Sequence, residues 1–344
     1  MPFTIREVFP DDLEGLHAVA AHLNTVNLPN DRDVLEKLIE HSRKSFNGQL
    51  DVFKREYLFV LIDESEKKII GTSMIHAQHG TRRAPHIFFD VMQDERYSES
   101  LDKHFIHKVL RIGYNYNGPT EIGGLVLHPS YRRNPVALGK WLSYVRFLYI
   151  GLHRTKFRDE VLSELLPPLE KDGTSPLWEV LGRHFTGMSY QEADRLSQSN
   201  KEFIRSLFPA DSIYISLLPF SVQGLVGQVG PETKGVEKML RRIGFTYANR
   251  IDPFDGGPHF IAKTDDITLV QASQMARVVL LADGGADDAA PTGLVSVERD
   301  RAPHFAAAGS RFVLEGGDVG LPEATMKQLG VQPGDSVGVL PFVA

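Results

Sequence analysis

The sequence predicts an α+β fold, and three stretches carry that prediction. A strand-like segment at residues 4–8 runs directly into a helical pattern. Two apolar, β-branched runs at 57–63 (YLFVLID) and 69–77 (IIGTSMIHA) flank a charged turn at 64–68. An apolar strand at 121–127 leads through a basic loop with Pro135 and Gly139 into an apolar-rich helix that ends near Gly151. Strands with period-two or continuous apolar character, alternating with helices of period 3.6, build a sheet covered by helices.

Each element has a local reason. Pro10-Asp11-Asp12 is helix-starting chemistry, and Leu13, Leu16, Ala20 and Leu23 repeat at helical spacing. The 57–63 and 69–77 runs form an antiparallel hairpin in the simplest reading. Residues 160–166 read as a buried strand stopped by Pro167-Pro168. Ser175 is an N-cap with Pro176 at the first helical position, and Leu177, Val180, Leu181 and Phe185 share one face. Further short helices are expected at 188–196 and 201–208, then a strand at 213–218. A helix at 231–243 closes at Gly244, and strands at 245–251 and 259–262 pair around Asp255-Gly256-Gly257. Residues 282–291 (ADGGADDAAP) hold little that packs and read as a linker. The expected organisation is therefore a domain over 1–281 with a helical insertion at about 167–209, and a small β-rich subdomain over 292–344 with strands near 294–298, 311–315 and 336–340.

Composition narrows the function classes. With 42% hydrophobic and 24% charged residues, the 344-residue chain is an ordinary globular protein. A net charge of −6 gives no overall pull toward nucleic acid or an acidic membrane, so neither is an expected partner. No run approaches the roughly 18 apolar residues of a spanning helix, and the N-terminal MPFTIREVFPDDLEG lacks a signal peptide's regions, so the expected location is cytoplasmic. The absence of cysteine removes disulfides, thiolate-bound zinc and a cysteine nucleophile. Thirteen histidines show no HExxH or other paired-ligand spacing, and no metal is expected.

The strand, basic loop and helix start at 121–147 suit an anion, because helix N–H groups and positive side chains point at one place. A pyrophosphate fits there. Arg132 and Arg133 either hold its phosphates or form a solvated turn. Gly123 and Gly124 either admit a ligand against the strand or mark a bulge. Glu121 is a base, a cation site or a solvated strand-end charge. His128, before Pro129, is a proton relay or a turn histidine. Asp252 and Asp255 suit a guanidinium or second amine, although Asp255-Gly256-Gly257 also satisfies turn chemistry. His184 and His259 read as packed histidines or site residues, and Trp178 and Phe185 as core anchors.

Several segments in order resemble the arginine N-succinyltransferase family, whose fold is of the GNAT acyl-CoA N-acyltransferase type. They are residues 121–131, Ser175-Pro-Leu-Trp-Glu-Val-Leu-Gly-Arg-His-Phe185, Ile213-Tyr-Ile-Ser-Leu-Leu-Pro219, Val226-Gly-Gln-Val-Gly-Pro-Glu-Thr233, and Gly244-Phe-Thr-Tyr on to Asp252-Pro-Phe-Asp-Gly-Gly-Pro258. The resemblance implies a GNAT-type mixed β-sheet flanked by helices. It also implies succinyl transfer from succinyl-CoA, as co-substrate, to the α-amine of L-arginine. On that basis Gly124, Leu125, Leu127, Arg132, Arg133 and Gly139 are assigned to acyl-CoA, Asp252 and Asp255 to the amino acid, and Glu121 and His128 to catalysis. Leu125 stands where the family binds succinyl-CoA. The family's Gly-Gln-Val-His-Pro motif carries a histidine regarded as proton donor; here Gly230 occupies that place, so the role has no residue to carry it. The basic loop is also about two residues longer and poorer in glycine than the family's. If only the donor is lost, Gly230→His is expected to raise arginine-dependent turnover.

Two alternatives stay open: an acyl-CoA transferase with another amine or acyl group, or a non-catalytic partner in a heteromer of related subunits. A homo-oligomer is equally compatible with the sequence.

Overall fold

The structure, a computed structural model, describes residues 2–22, 28–82, 84–197, 200–281 and 292–342. They divide into two compact units: Met1–Gln78 with Thr120–Asp159 and Thr264–Ala344, and His79–Pro119 with Glu160–Lys263. In chain order the first unit begins with β1 (Phe3–Glu7), α1 (Leu13–Ala20), α2 (Arg32–Phe46), β2 (Glu56–Asp63) and β3 (Lys68–His76). The second contributes the long strands β4 (His86–Ser98) and β5 (Lys103–Asn115). The first resumes with β6 (Thr120–Leu127) and α3 (Leu138–Leu152).

The second unit is completed by β7 (Glu160–Glu164), four short helices α4 (Pro176–Val180), α5 (Gly182–Thr186), α6 (Tyr190–Ser197) and α7 (Glu202–Leu207), then β8 (Ile213–Tyr214), α8 (Phe220–Gln223), α9 (Lys234–Arg242), β9 (Thr246–Ile251) and β10 (Pro258–Lys263). The chain closes in the first unit with α10 (Thr268–Ala272), β11 (Gln274–Leu280), β12 (Thr292–Glu298), β13 (Phe305–Arg311), β14 (Val313–Glu315), β15 (Asp318–Leu321), α11 (Glu323–Leu329) and β16 (Ser336–Pro341).

In the first unit the strands run in the order β14-β15-β11-β16-β12-β13-β1-β2-β3-β6, with β11 and β15 parallel and the paired neighbours otherwise antiparallel. The expected hairpin is present, with Glu56 opposite His76 and Asp63 opposite Lys68. Helix α2 is capped by Asp31, whose Oδ1 accepts from the Asp33 and Val34 amides at 3.0 and 3.1 Å. Leu16, Val19, Leu35 and Ile39 of the two N-terminal helices bury against Leu58, Val60, Met74 and Val126 of the sheet. Helix α3 is buried on nearly every side, from Trp141 to Ile150, and packs on β3 and β6. That is the fate of a helix apolar all round.

The C-terminal strands differ from the expected arrangement. Residues 292–342 share one core with β11, including Ala276, Val278, Val295, Phe312, Leu321 and Val339. Yet β13 pairs with β1, Thr4 opposite Ala308, so they belong to the same unit as the N-terminus. The small side chains of Phe305–Arg311 (FAAAGSR) conceal a strand from propensity reasoning, because Ala and Gly are depleted in strands. The 282–291 linker lies outside the described residues.

The second unit holds an antiparallel sheet in the order β7-β10-β9-β4-β5-β8. Helices α4 to α7 fall inside the span where a helical insertion was expected. The strand expected at 213–218 shrinks to the two residues of β8, and Ile215–Leu217 turn as a 3-10 helix. Trp178 is fully buried and stacks on Phe254 at 5.1 Å, as a core anchor should. Phe185 and His184 are exposed, contrary to their reading as core and packed residues, because α5 is too short to bury both its faces. No helix among the described residues is long and apolar enough to cross a membrane.

Candidate active site

Strand β6 is irregular where the candidates cluster. Thr72 lies opposite Val126 and Met74 opposite Gly123, so Gly124 and Leu125 together face the single residue Ser73. This is a β-bulge, which takes two residues out of the regular ladder. Gly124 has φ +54°, and a Cβ there would lie 2.8 Å from the Met74 side chain, so both backbone and space require glycine. The Thr72 hydroxyl donates to Gly124 O at 2.8 Å and fixes the bulge from below. The Ser73 hydroxyl beside it is buried without a hydrogen-bond partner. Gly123, Leu125 and Leu127 alternate on the half-buried side of the strand, while Ile122, Gly124 and Val126 face inward.

Glu121 is 2% exposed, which rules out the solvated strand-end reading. It lies opposite His76 in register, and His76 Nδ1 is 3.3 Å from Glu56 Oε1. Burial pushes the Glu56 carboxyl up, but His76 holds it below its ordinary value.

His128 takes a turn role. It caps the 3-10 turn Pro129–Tyr131, its Nδ1 accepting from the Ser130 amide at 3.3 Å. Its pKa is lowered by partial desolvation and by Lys68, His22 and Arg132. Arg132 and Arg133 are exposed, and Arg132 Nε donates to Leu127 O at 3.3 Å, bending that side chain back along the end of β6. Helix α3 then starts from Ala137 at φ 55°, ψ 50°, with no side chain capping its first amides. Uncapped helix N–H groups beside two exposed arginines are the elements an anion site uses. At Gly139 an added Cβ would meet only Leu127 at 3.8 Å, so the fold itself does not demand glycine there.

Arg146 escaped the sequence reading because it stands in an apolar helix. It is 2% exposed and donates to the Ser143 hydroxyl at 2.8 Å and to Gly123 O of β6 at 3.4 Å. Burial alone depresses its pKa to about 9, with no carboxylate among the described residues offsetting that. A buried guanidinium held only by neutral groups is costly and suits an anionic ligand.

In the second unit Asp252 and Asp255 build the β9–β10 turn. Asp252 Oδ1 accepts from the Phe254 and Asp255 amides at 2.7 and 3.1 Å, and Asp255 Oδ1 from the Gly257 amide at 2.7 Å. Turn chemistry therefore occupies one oxygen of each. The electrostatics go further. Burial and Glu164 push Asp252 up to about 7, burial and Asp252 raise Asp255, and burial raises Asp194 to about 6. Tyr190 is raised by burial and by Asp255, Asp194 and Asp252. Glu164 and Asp194 were not singled out in the sequence, since nothing in their spacing ties them to Asp252. Carboxylates with raised pKa values gathered at one place mark a site that a cation would relieve.

The segment Gly227-Gln228-Val229 borders a cavity of ≈ 520 Å³ also lined by Lys108, Lys234, Arg241 and Tyr247. Gly230 itself is buried. Its amide donates to Leu166 O at 2.8 Å, and a Cβ would lie 2.6 Å from Pro167 O and 2.9 Å from Leu166 O. Backbone crowds any side chain at this position, so Gly230→His is expected to destabilise this fold rather than simply to raise turnover.

Residues 3–269 match the family model described as the arginine N-succinyltransferase beta subunit. The chain belongs to that family. It is 32% identical over 346 residues to the arginine N-succinyltransferase of Yersinia pestis, covering 99% of this chain and 98% of that one. It is 33% identical over 348 residues to the arginine N-succinyltransferase subunit beta of Pseudomonas aeruginosa, with the same coverage. Among solved structures, arginine/ornithine succinyltransferase subunit AI from Pseudomonas aeruginosa matches with a TM-score of 0.85 at 26% identity, over 99% of both chains. The α+β architecture expected for the family, a mixed sheet flanked by helices, is the one seen, and the family is one of acyltransferases.

Proposed function

We propose that this protein transfers the succinyl group of succinyl-CoA to the α-amine of L-arginine. The observation that carries the reading is likeness to arginine N-succinyltransferases along essentially the whole chain. The acidic group of Asp194, Asp252 and Asp255 supports a cationic amino acid as acceptor, because fixed carboxylates pair well with a guanidinium. Arg132, Arg133 and the open start of α3 supply what coenzyme A phosphates need, and Gly124, Leu125 and Leu127 line the strand for the acyl arm. Gly139 leaves the helix start uncovered.

In the reaction the neutral amine attacks the thioester carbonyl, the C–N bond forms, and the C–S bond breaks as coenzyme A thiolate leaves. The amine's proton passes to a base and the thiolate takes up a proton. Glu121 and His128 are the proton-handling candidates of the first unit. With no cysteine in the chain, direct attack replaces a cysteinyl acyl-enzyme. Arg146, bonded to the strand that carries the bulge, is placed to attract the succinyl carboxylate, which an acetyl group lacks. A cytoplasmic location fits the reading, as does assembly with like or related subunits, since relatives are named as subunits.

Thiol release from succinyl-CoA by the purified chain tests this. Release with arginine is expected; release only with another amine rejects the acceptor, and no release with any amine, together with no coenzyme A binding, rejects the enzyme.

A further inference from the structure

The second unit brings together three metal-ligating side chains that are far apart in sequence. His86 opens β4, Glu164 ends β7, and His79 lies on the segment leading into β4. Each offers one ligand atom, and these atoms lie within 4.8 Å of one another. His86 is 3% exposed, and its Nε2 is 3.1 Å from Glu164 Oε1. Even so, neither nitrogen of the ring has a hydrogen-bond partner.

The contact is close but out of line. An imidazole and a carboxylate bonded to each other align N–H with oxygen. Two ligands of one cation instead aim their lone pairs at a third point. For bonds of about 2.0–2.1 Å, the edge of a tetrahedron is about 3.3 Å, close to the spacing here. His259 Nε2 stands 3.3 Å from the same Glu164 oxygen, and its ring stacks on His86 at 5.2 Å. Half-buried His79 and the partly exposed Glu164 side chain leave a route to solvent.

We propose that His79, His86 and Glu164 form a binding site for a divalent transition-metal cation, with zinc the best match to two imidazoles and one carboxylate. Three protein ligands leave a fourth position for water or a ligand atom. The proposal does not rest on the succinyltransferase reading, and its test does not read activity.

The full-length chain, freed of metal by dialysis against a chelator, is titrated with zinc chloride in a calorimeter, and in parallel with cobalt(II) followed by visible absorption. One equivalent of zinc is expected, with the intense bands of four-coordinate cobalt. His79→Ala and His86→Ala should each weaken zinc by more than the roughly 10- to 100-fold that loss of an outer partner costs. Absence of the single equivalent overturns the proposal. So does binding unchanged in His79→Ala, which would assign the metal to adventitious capture by other histidines. His79 lies outside the strands, so it decides the matter if His86→Ala does not fold.

Discussion

Gly230 gives the sharpest test of the structure. Its φ is not in the left-handed region, so only space excludes a side chain. Alanine would put its Cβ 2.6 Å from Pro167 O and 2.9 Å from Leu166 O, and moving Leu166 O away strains the 2.8 Å bond that it accepts from Gly230 N. The Thr233 hydroxyl, donating to Leu166 O at 2.9 Å, would be disturbed as well. Overpacking costs about 1–3 kcal/mol and a lost hydrogen bond about 1, giving a loss of about 2–4 kcal/mol for Gly230→Ala and more for Gly230→His. At a urea slope of about 2 kcal/mol/M, the midpoint should fall by about 1–2 M. Trp178 is the tryptophan of this unit, so its fluorescence in a Trp141→Phe background reports the right transition. Midpoints of Gly230→Ala and Gly230→His equal to that of the parent would refute the reasoning, and a rise in arginine-dependent turnover in Gly230→His would restore the lost-donor view.

Other outcomes follow from the site. Gly124→Ala should lose acyl-CoA affinity and about 1–3 kcal/mol of stability through its left-handed backbone, seen together by calorimetry and denaturation; an unaltered protein would show the bulge to be dispensable. Arg146→Met should narrow the preference for succinyl-CoA over acetyl-CoA, read as the ratio of kcat/KM values, and an unchanged ratio would make Arg146 a purely structural residue. Asp252 is raised from 3.8 to about 7. Its contribution to stability is therefore full below the unfolded value and is lost as pH rises from about 4 through 7. Arginine binding should run the opposite way and tighten as the carboxylate ionises near pH 7. Asp252→Asn should flatten both profiles, and a wild-type pH dependence in that variant would place the titration elsewhere. His128→Ala should leave the fold intact; full retained activity would remove this histidine from catalysis.

Much of the fold was legible because it rests on local rules. The β2–β3 hairpin, the strand–loop–helix from β6 into α3, the Ser175 cap and the α9–Gly244 stop all follow from apolar spacing and from Gly, Pro and Ser chemistry. The long hairpin β4–β5 was missed because its outer half, including Tyr97, Phe105 and Ile106, is exposed and carries no inward-facing pattern. Helix α2 is hard to read although its Asp31 cap is visible in the sequence, since its charged residues obscure the buried stripe of Leu35, Ile39, Ser42 and Ser45.

The sequence by itself determined the family and the α+β class. Residue identity and near-neighbour order suffice for those. Tertiary structure alone decided that Gly124 sits in a bulge over Met74, that Arg146 is a buried cation against Gly123, that backbone closes Gly230, and that His79, His86 and Glu164 converge. Burial, field and distance are properties of segments brought together across long stretches of chain, and no local pattern in the sequence encodes them.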